Sequence, residues 1–367
     1  MTVFSAELPA KTANTTNSTF LAFDLGGTAL KVGIVTIDIN GESSLTEIYN
    51  EEHHLFADGP AADEKLQELL TQHYHKLIDD GYSFDGIGVA TFGSVNPDTK
   101  RIQHFMDGTP GYENWSWTEV FEDAGFNGPV DVLNDGQAGA LGICASGGIQ
   151  GTNVALIIGT GLAAGAANID QDGNATLTRG GTGNGGLFGN TLVSSAFENN
   201  SELFNRRAGE LIATGGISKF YKNGELEPAD ALRKLVVDLA NDEDRAKNFY
   251  DQVLVEGLAA LITNIHWTYD PQRVAISGGV IKALPDLVQD AMKVAIVRIQ
   301  DNAELQSDGM SYSTCLNQDV VVQMIDEQNP NLTGIAVAAK TLGSTREFNA
   351  EPSKSEPPLA RQPMIIK

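Results

Sequence analysis

Short apolar runs separated by glycine turns organise the first part of the chain. Residues 20–24 and 30–37 flank Gly26–Gly27, and two such runs joined by a glycine pair predict a β-hairpin. A third strand is predicted over 45–54, a helix over 61–79, buried strands over 86–90 and 130–133, and a helix over 137–145. Strands alternating with helices predict an α/β fold. The pattern then restarts. Residues 154–158 form an apolar run, Gly159–Thr160–Gly161 a turn, and a second apolar run continues to 167.

The restart is a repeat. Moving residues 22–41 forward by 132 positions superposes Gly27 on Gly159, Thr28 on Thr160, Leu30 on Leu162, Gly33 on Gly165, Ile37 on Ile169, Asp38 on Asp170 and Gly41 on Gly173. A single repeat of this period is a domain duplication rather than a solenoid. It predicts two lobes, each opening with a glycine hairpin, and a cleft between them. After a glycine-loaded stretch at 179–190, helical patterns dominate 201–267. A strand at 273–277 breaks at Gly278–Gly279, and a last strand at 320–324 leads into a helix over 332–342. The expected domains are a disordered lead-in at 1–19, an N-terminal α/β lobe at 20–134 completed by the helix 332–342, and a C-terminal α/β lobe at 135–331. A Pro-rich tail at 343–367 carries Pro352, Pro357, Pro358 and Pro363.

Composition narrows the function classes. The 367 residues suit two domains better than one. Against 24 Lys and Arg stand 48 Asp and Glu, a formal net charge of −24 that repels a nucleic-acid backbone. An anionic substrate would then be held by local amides, a metal ion and a few lysines. No apolar run reaches membrane-spanning length, and the polar N-terminus lacks a signal-peptide pattern, so a cytoplasmic location is expected and a membrane partner is not. Cys144 and Cys315 alone make neither a disulfide framework nor a Cys-based zinc site.

The candidate chemistry sits at the turns. Glycine turns let backbone N–H groups approach a phosphate without an intervening Cβ. Gly26, Gly27 and Thr28 form the first such turn. Asp24 before it is placed to hold Mg²⁺ directly or through water, and Lys31 after it to add one positive charge. Gly159, Thr160 and Gly161 form the second, where a constant offset puts Leu156 in the place of Asp24. Gly278–Gly279 ends a strand where the adenosine part of a nucleotide could rest. Asn134–Asp135 follows a strand and precedes a helix, so it reads either as an N-cap or as a base for a substrate hydroxyl. Glu113 and Asn114 are candidate partners for sugar hydroxyls. Tyr112, Trp115 and Trp117 wall a sugar site or pack in a core, and His53, His54, His73 and His75 read as surface positions.

Taken in order, these pieces resemble the ROK family of bacterial sugar kinases over roughly residues 20–342. GVATFGSV at 88–95, which contains Gly93, is similar to the family's GxxxPGxV stretch. NDGQAGALG at 134–142 resembles the motif containing its catalytic base, and 21–31, 156–165 and 276–280 resemble its phosphate and late Gly-Gly motifs. The resemblance implies the actin-like (ribonuclease H-like) two-lobed fold, duplicated around an inter-lobe cleft. It also implies ATP with Mg²⁺, phosphorylation of a hexose or N-acetylhexosamine hydroxyl, and a possible homodimer. It makes Asp135 the catalytic base and places Gly93, Asn134 and Asn190 at the sugar. Two positions depart from the pattern. Leu187 stands where a sugar-binding glutamate is expected and Asn190 where His or Tyr is usual, and the family's zinc loop is absent. The departures keep a non-catalytic sugar-binding or sensing protein open as the alternative.

Overall fold

A computed structural model describes residues 2–3, 17–26, 29–38, 40–52, 62–104, 116–145, 149–171, 173–178, 188, 191–193, 206–305, 321–324 and 329–348. The strands of the first half are β1 (Thr2–Val3), β2 (Ser18–Leu25), β3 (Ala29–Ile37), β4 (Ser43–Glu52), β5 (Gly86–Thr91), β6 (Ser94–Val95), β7 (Ile102–His104) and β8 (Val130–Asn134). Its helices are α1 (Ala62–Asp79), α2 (Trp117–Asp123) and α3 (Asp135–Ala145). The second half holds β9 (Gly151–Ile158), β10 (Leu162–Ile169), β11 (Ala175–Leu177), β12 (Leu192–Val193), β13 (Arg206–Arg207), β14 (Arg273–Ser277) and β15 (Val321–Met324). Its helices are α4 (Ala208–Ile212), α5 (Thr214–Gly216), α6 (Pro228–Ala240), α7 (Asp244–Phe249), α8 (Glu256–Tyr269), α9 (Gly279–Ala283), α10 (Leu287–Leu305) and α11 (Pro330–Phe348), with π-helical stretches at Ile217–Tyr221 and Tyr250–Val255.

Two main sheets result, ordered β1-β4-β3-β2-β5-β8 and β11-β10-β9-β14-β15. Central strands such as β2 and β5 are apolar on both faces because both faces are covered. In β2 the period of two sends Leu21, Phe23 and Leu25 into one core with α1 and α2, and Phe20 and Ala22 into another. That second core also takes Ala155, Ala167 and Ala275 from the other sheet, with α3 and α11 between. The two helices are exchanged. α3 follows β8 of the first sheet but packs on β9 and β10 of the second, whereas α11 follows β15 of the second and packs on β2, β5 and β8 of the first. Of the remaining helices, α4 and α6 to α10 share a core with the outer face of the second sheet.

The duplication is physical. In both copies an Asp caps the loop after the hairpin: Asp38 Oδ1 accepts from Glu42 N and Asp170 Oδ1 from Asn174 N, each at 2.8 Å. Gly41 and Gly173 both sit at φ 84°. The constant offset holds only for the second strand of each pair. Leu25 faces Leu30 across four residues, and Ile158 faces Leu162 across three. The first strands are therefore offset by one residue more, which corrects the counterpart of Asp24 from Leu156 to Ile157. Two further expectations change at the ends. Thr2–Val3 pairs with Asn50 and Tyr49 inside the expected lead-in, and α11 runs on to Phe348 inside the expected tail.

Candidate active site

Parity places Asp24 on the same face of β2 as Phe20 and Ala22, the face under α11. Asn331, in the first turn of α11, donates from Nδ2 to Asp24 Oδ1 at 3.1 Å, while Lys31, opposite Asp24 on β3, reaches Oδ2 at 3.3 Å. The carboxylate is buried, and the amide oxygen of Asn331, buried beside it, has no hydrogen-bond partner among the described residues. Gly26 closes the turn by donating its N–H to Ala29 O at 2.9 Å. Gly27 and Thr28 lie outside the described residues.

The second turn is also closed by its backbone, with Gly159 N–H donating to Gly161 O at 2.9 Å. A segment that sequence reasoning missed lies against it: Thr214 N–H donates to Gly159 O at 3.0 Å and Gly215 N–H to Thr160 O at 3.3 Å. Its signal was the Thr-Gly-Gly run at 214–216. Gly278 is brought to the same place because β14 runs parallel beside β9. It takes φ 109°, and a Cβ there would lie 2.7 Å from Ile158 C and N, so only glycine fits. At Gly159, Gly161 and Gly279 an added Cβ would meet nothing within 4 Å among the described residues, so these three face open space there.

The cap reading of Asn134–Asp135 describes the local geometry. β8 ends at Asn134 and α3 begins at Asp135, with Gly136 N–H donating to Asn134 Oδ1 at 2.9 Å and to Asp135 Oδ1 at 2.8 Å. Asn134 Nδ2 in turn donates to Gly93 O at 2.8 Å. The carboxyl of Asp135 is pushed up to about 7, first by burial and then by the negative charge of Asp24, against the downward pull of the Gly136 N–H. Two carboxylates from different elements thus share one field.

Some expected residues fall elsewhere. Trp117 is fully buried in the α1–α2 core and walls nothing. His73 is buried 3.3 Å from Glu51 rather than at the surface, and burial pulls its pKa down; His75 is exposed. Tyr112, Glu113, Asn114, Trp115, Leu187 and Asn190 lie outside the described residues, as do His53 and His54. Asn331 was missed because its partner is 307 positions away, although Pro330 before it marks a helix start. No group of three or more His, Cys, Asp or Glu able to hold a metal occurs among the described residues, and none of their helices is long and apolar enough to cross a membrane.

Known proteins share this fold. The family model described as ROK family matches residues 20–309. A β-glucoside kinase of Listeria monocytogenes is 27% identical over 268 residues, which is 71% of this chain and 82% of that protein. An uncharacterised Clostridium perfringens protein is 26% identical over 304 residues, 78% and 95% of the two chains. Among solved structures, a ROK hexokinase from Thermus thermophilus aligns with TM-score 0.63 and 18% identity over 90% of this chain and 99% of that one. A ROK family glucokinase from Streptomyces griseus, bound to glucose and AMPPNP, aligns with TM-score 0.59 and 18% identity over 89% and 100%. A ROK transcriptional regulator homologous to the E. coli MLC protein aligns with TM-score 0.60 and 17% identity over 89% and 79%. The likeness to these structures establishes the actin-like ATPase fold.

Proposed function

The chain belongs to the ROK family, and from that premise we propose that it is an ATP-dependent sugar kinase acting on a hydroxyl of a hexose or N-acetylhexosamine. The observation that carries this reading is Asp135, a carboxyl held near neutrality beside the buried Asp24. An orienting base needs that poise, since catalytic efficiency is greatest when the pKa lies near the working pH. The open turn at Gly159–Gly161, with Gly278 and Gly279 beside it, suits the phosphates and adenosine of ATP.

The donor set also suits Mg²⁺. Asp24, the free amide oxygen of Asn331 and the neighbouring Asp135 make an acidic spot without a three-carboxylate cage among the described residues. Mg²⁺ is held in this way when it arrives on phosphates, through one or two carboxylates and retained waters. When bound, it would neutralise charge on the transferring phosphoryl group. Asp135 accepts the proton of the sugar hydroxyl as that oxygen bonds to the γ-phosphorus of ATP. The bond to the bridging oxygen breaks and ADP leaves. Because the transition state is loose, Asp135 mainly orients the nucleophile. Asn134, tied to Gly93, presents the sugar to it. Gly27, Thr28, Glu113, Asn114 and Asn190 keep the phosphate and sugar roles assigned to them above.

A panel of glucose, mannose, fructose, N-acetylglucosamine, N-acetylmannosamine and a β-glucoside, each with Mg-ATP, tests the reading through sugar-dependent ADP release. Release with at least one sugar is expected. Its absence throughout, with sugar binding retained in calorimetry, would favour the non-catalytic sensor that Leu187 and Asn190 suggest. A second expectation concerns pH. With the base ionising at about 7, kcat/KM should rise with pH along an acid limb centred near that value. A limb below about pH 5, where an ordinary aspartate titrates, would remove Asp135 from the role of base.

A further inference from the structure

Lys100 sits in the left-handed region, at φ 57°, which favours glycine. It closes the hairpin β6–β7, whose strands pair Ser94 with His104 and Val95 with Ile102. The turn is tightly made. Asn96 Oδ1 accepts from Asp98 N and Thr99 N, Lys100 N–H donates to Asn96 O, and Asn96 N–H donates to Arg101 O, each at 2.9 Å. Nothing in this turn needs a lysine side chain. The side chain goes elsewhere, to Asp131 Oδ1 on β8 at 2.6 Å, as an ion pair in which Lys100 is 17% and Asp131 4% exposed. At its other end the hairpin meets β8 again, through Asn134 Nδ2 and Gly93 O. Val95 and Ile102 share a core with Val130 and Val132 of that strand.

We propose that Lys100 is a positioning residue for the sugar end of the site: its ion pair with Asp131 pins the hairpin along β8, so that Gly93 and Asn134 stay joined next to Asp135. This inference rests on the kinase reading for its substrate, while the pin itself is a property of the protein without sugar. Backbone strain at a non-glycine residue is retained where the surroundings require that side chain, and the buried partner at Asp131 supplies the requirement.

Lys100→Gly separates positioning from plain stability, because glycine relieves the turn while deleting the pin. Hydrogen exchange on the sugar-free protein should show faster exchange of amides 94–104 in K100G and in D131N than in the parent. With the panel sugar of highest turnover, both variants should raise the sugar KM by about tenfold, the value of one lost positioning hydrogen bond. Their kcat and ATP KM should stay within about twofold of the parent, and K100R should recover most of the sugar KM. Parental exchange rates in K100G overturn the pin whether or not any sugar is phosphorylated. Faster exchange with an unchanged sugar KM overturns the positioning role. A parent protein that turns over no panel sugar counts against the kinase reading, and the exchange arm still decides the pin.

Discussion

Replacing Asp135 by Asn is expected to lower turnover by about 10²- to 10⁴-fold, the range of a lost acid–base group, with ATP affinity held within about twofold. Asn keeps the shape and can still accept the Gly136 N–H, so the start of α3 survives while the proton acceptor is lost. The same variant makes an opposite forecast for stability. An unfolded aspartate ionises near 3.9, whereas Asp135 in the fold ionises at about 7. Between those values the unfolded chain has lost a proton that the folded one keeps. The favourable contribution of this carboxyl is therefore full below about pH 4 and is lost as pH rises through 7. D135N escapes that loss. At pH 8 it should exceed the parent by on the order of 2 kcal/mol, a figure reduced for the partial exposure of Asp135, and at pH 4 the gain should vanish. Coupled assays and denaturant titrations at the two pH values check both halves. Parental turnover in D135N would move the base elsewhere.

The second large effect is expected at Gly334, where α11 crosses α3. A Cβ there would overlap Ala138 O and lie 2.6 Å from Gly142 N, and one at Gly142 would overlap Pro330 O. These are backbone atoms of helices wedged between two sheets, so no side chain can swing aside to make room. Gly334→Ala should cost at least about 3 kcal/mol, at the upper end of overpacking penalties, and lower Tm by roughly 5–10 °C. It should also disturb the hydrogen bond from Asn331 to Asp24, three residues back along the same helix. Gly279→Ala is the control for stability. A Cβ there meets nothing within 4 Å among the described residues, so Tm should stay put, within about 0.5 kcal/mol of the parent. A loss in Gly334→Ala as small as the one expected of Gly279→Ala would mean that the crossing tolerates a methyl group.

Much of this could be read locally. The hairpins show in their alternation and turns, and β14 falls on its expected residues, 273–277. The Asn134–Asp135 junction shows as a cap, because a polar pair between an apolar strand and a helix has few other uses. The glycines at 136, 139, 142 and 334 were legible only as parts of a motif or helix. Their purpose needs the partners in view: Gly136, Gly142 and Gly334 let α3 pass close to the backbone of β10 and α11, and Gly139 makes room for the side chains of Ile157 and Asn331. The one-residue difference between the two hairpins escaped a constant-offset comparison, since all seven matching residues lie beyond the start of the first turn.

The sequence by itself determined two glycine hairpins related by duplication, an aspartate ahead of only one of them, and an α/β alternation that carries them. These follow from alternation, turn chemistry and spacing, which act within a few residues. Only the tertiary structure decided that α3 and α11 change sheets, that Asn331 meets Asp24 across 307 positions, and that Asp24 raises the pKa of Asp135. Those facts depend on which face of a strand a distant helix covers, and burial and charge act there through space rather than along the chain.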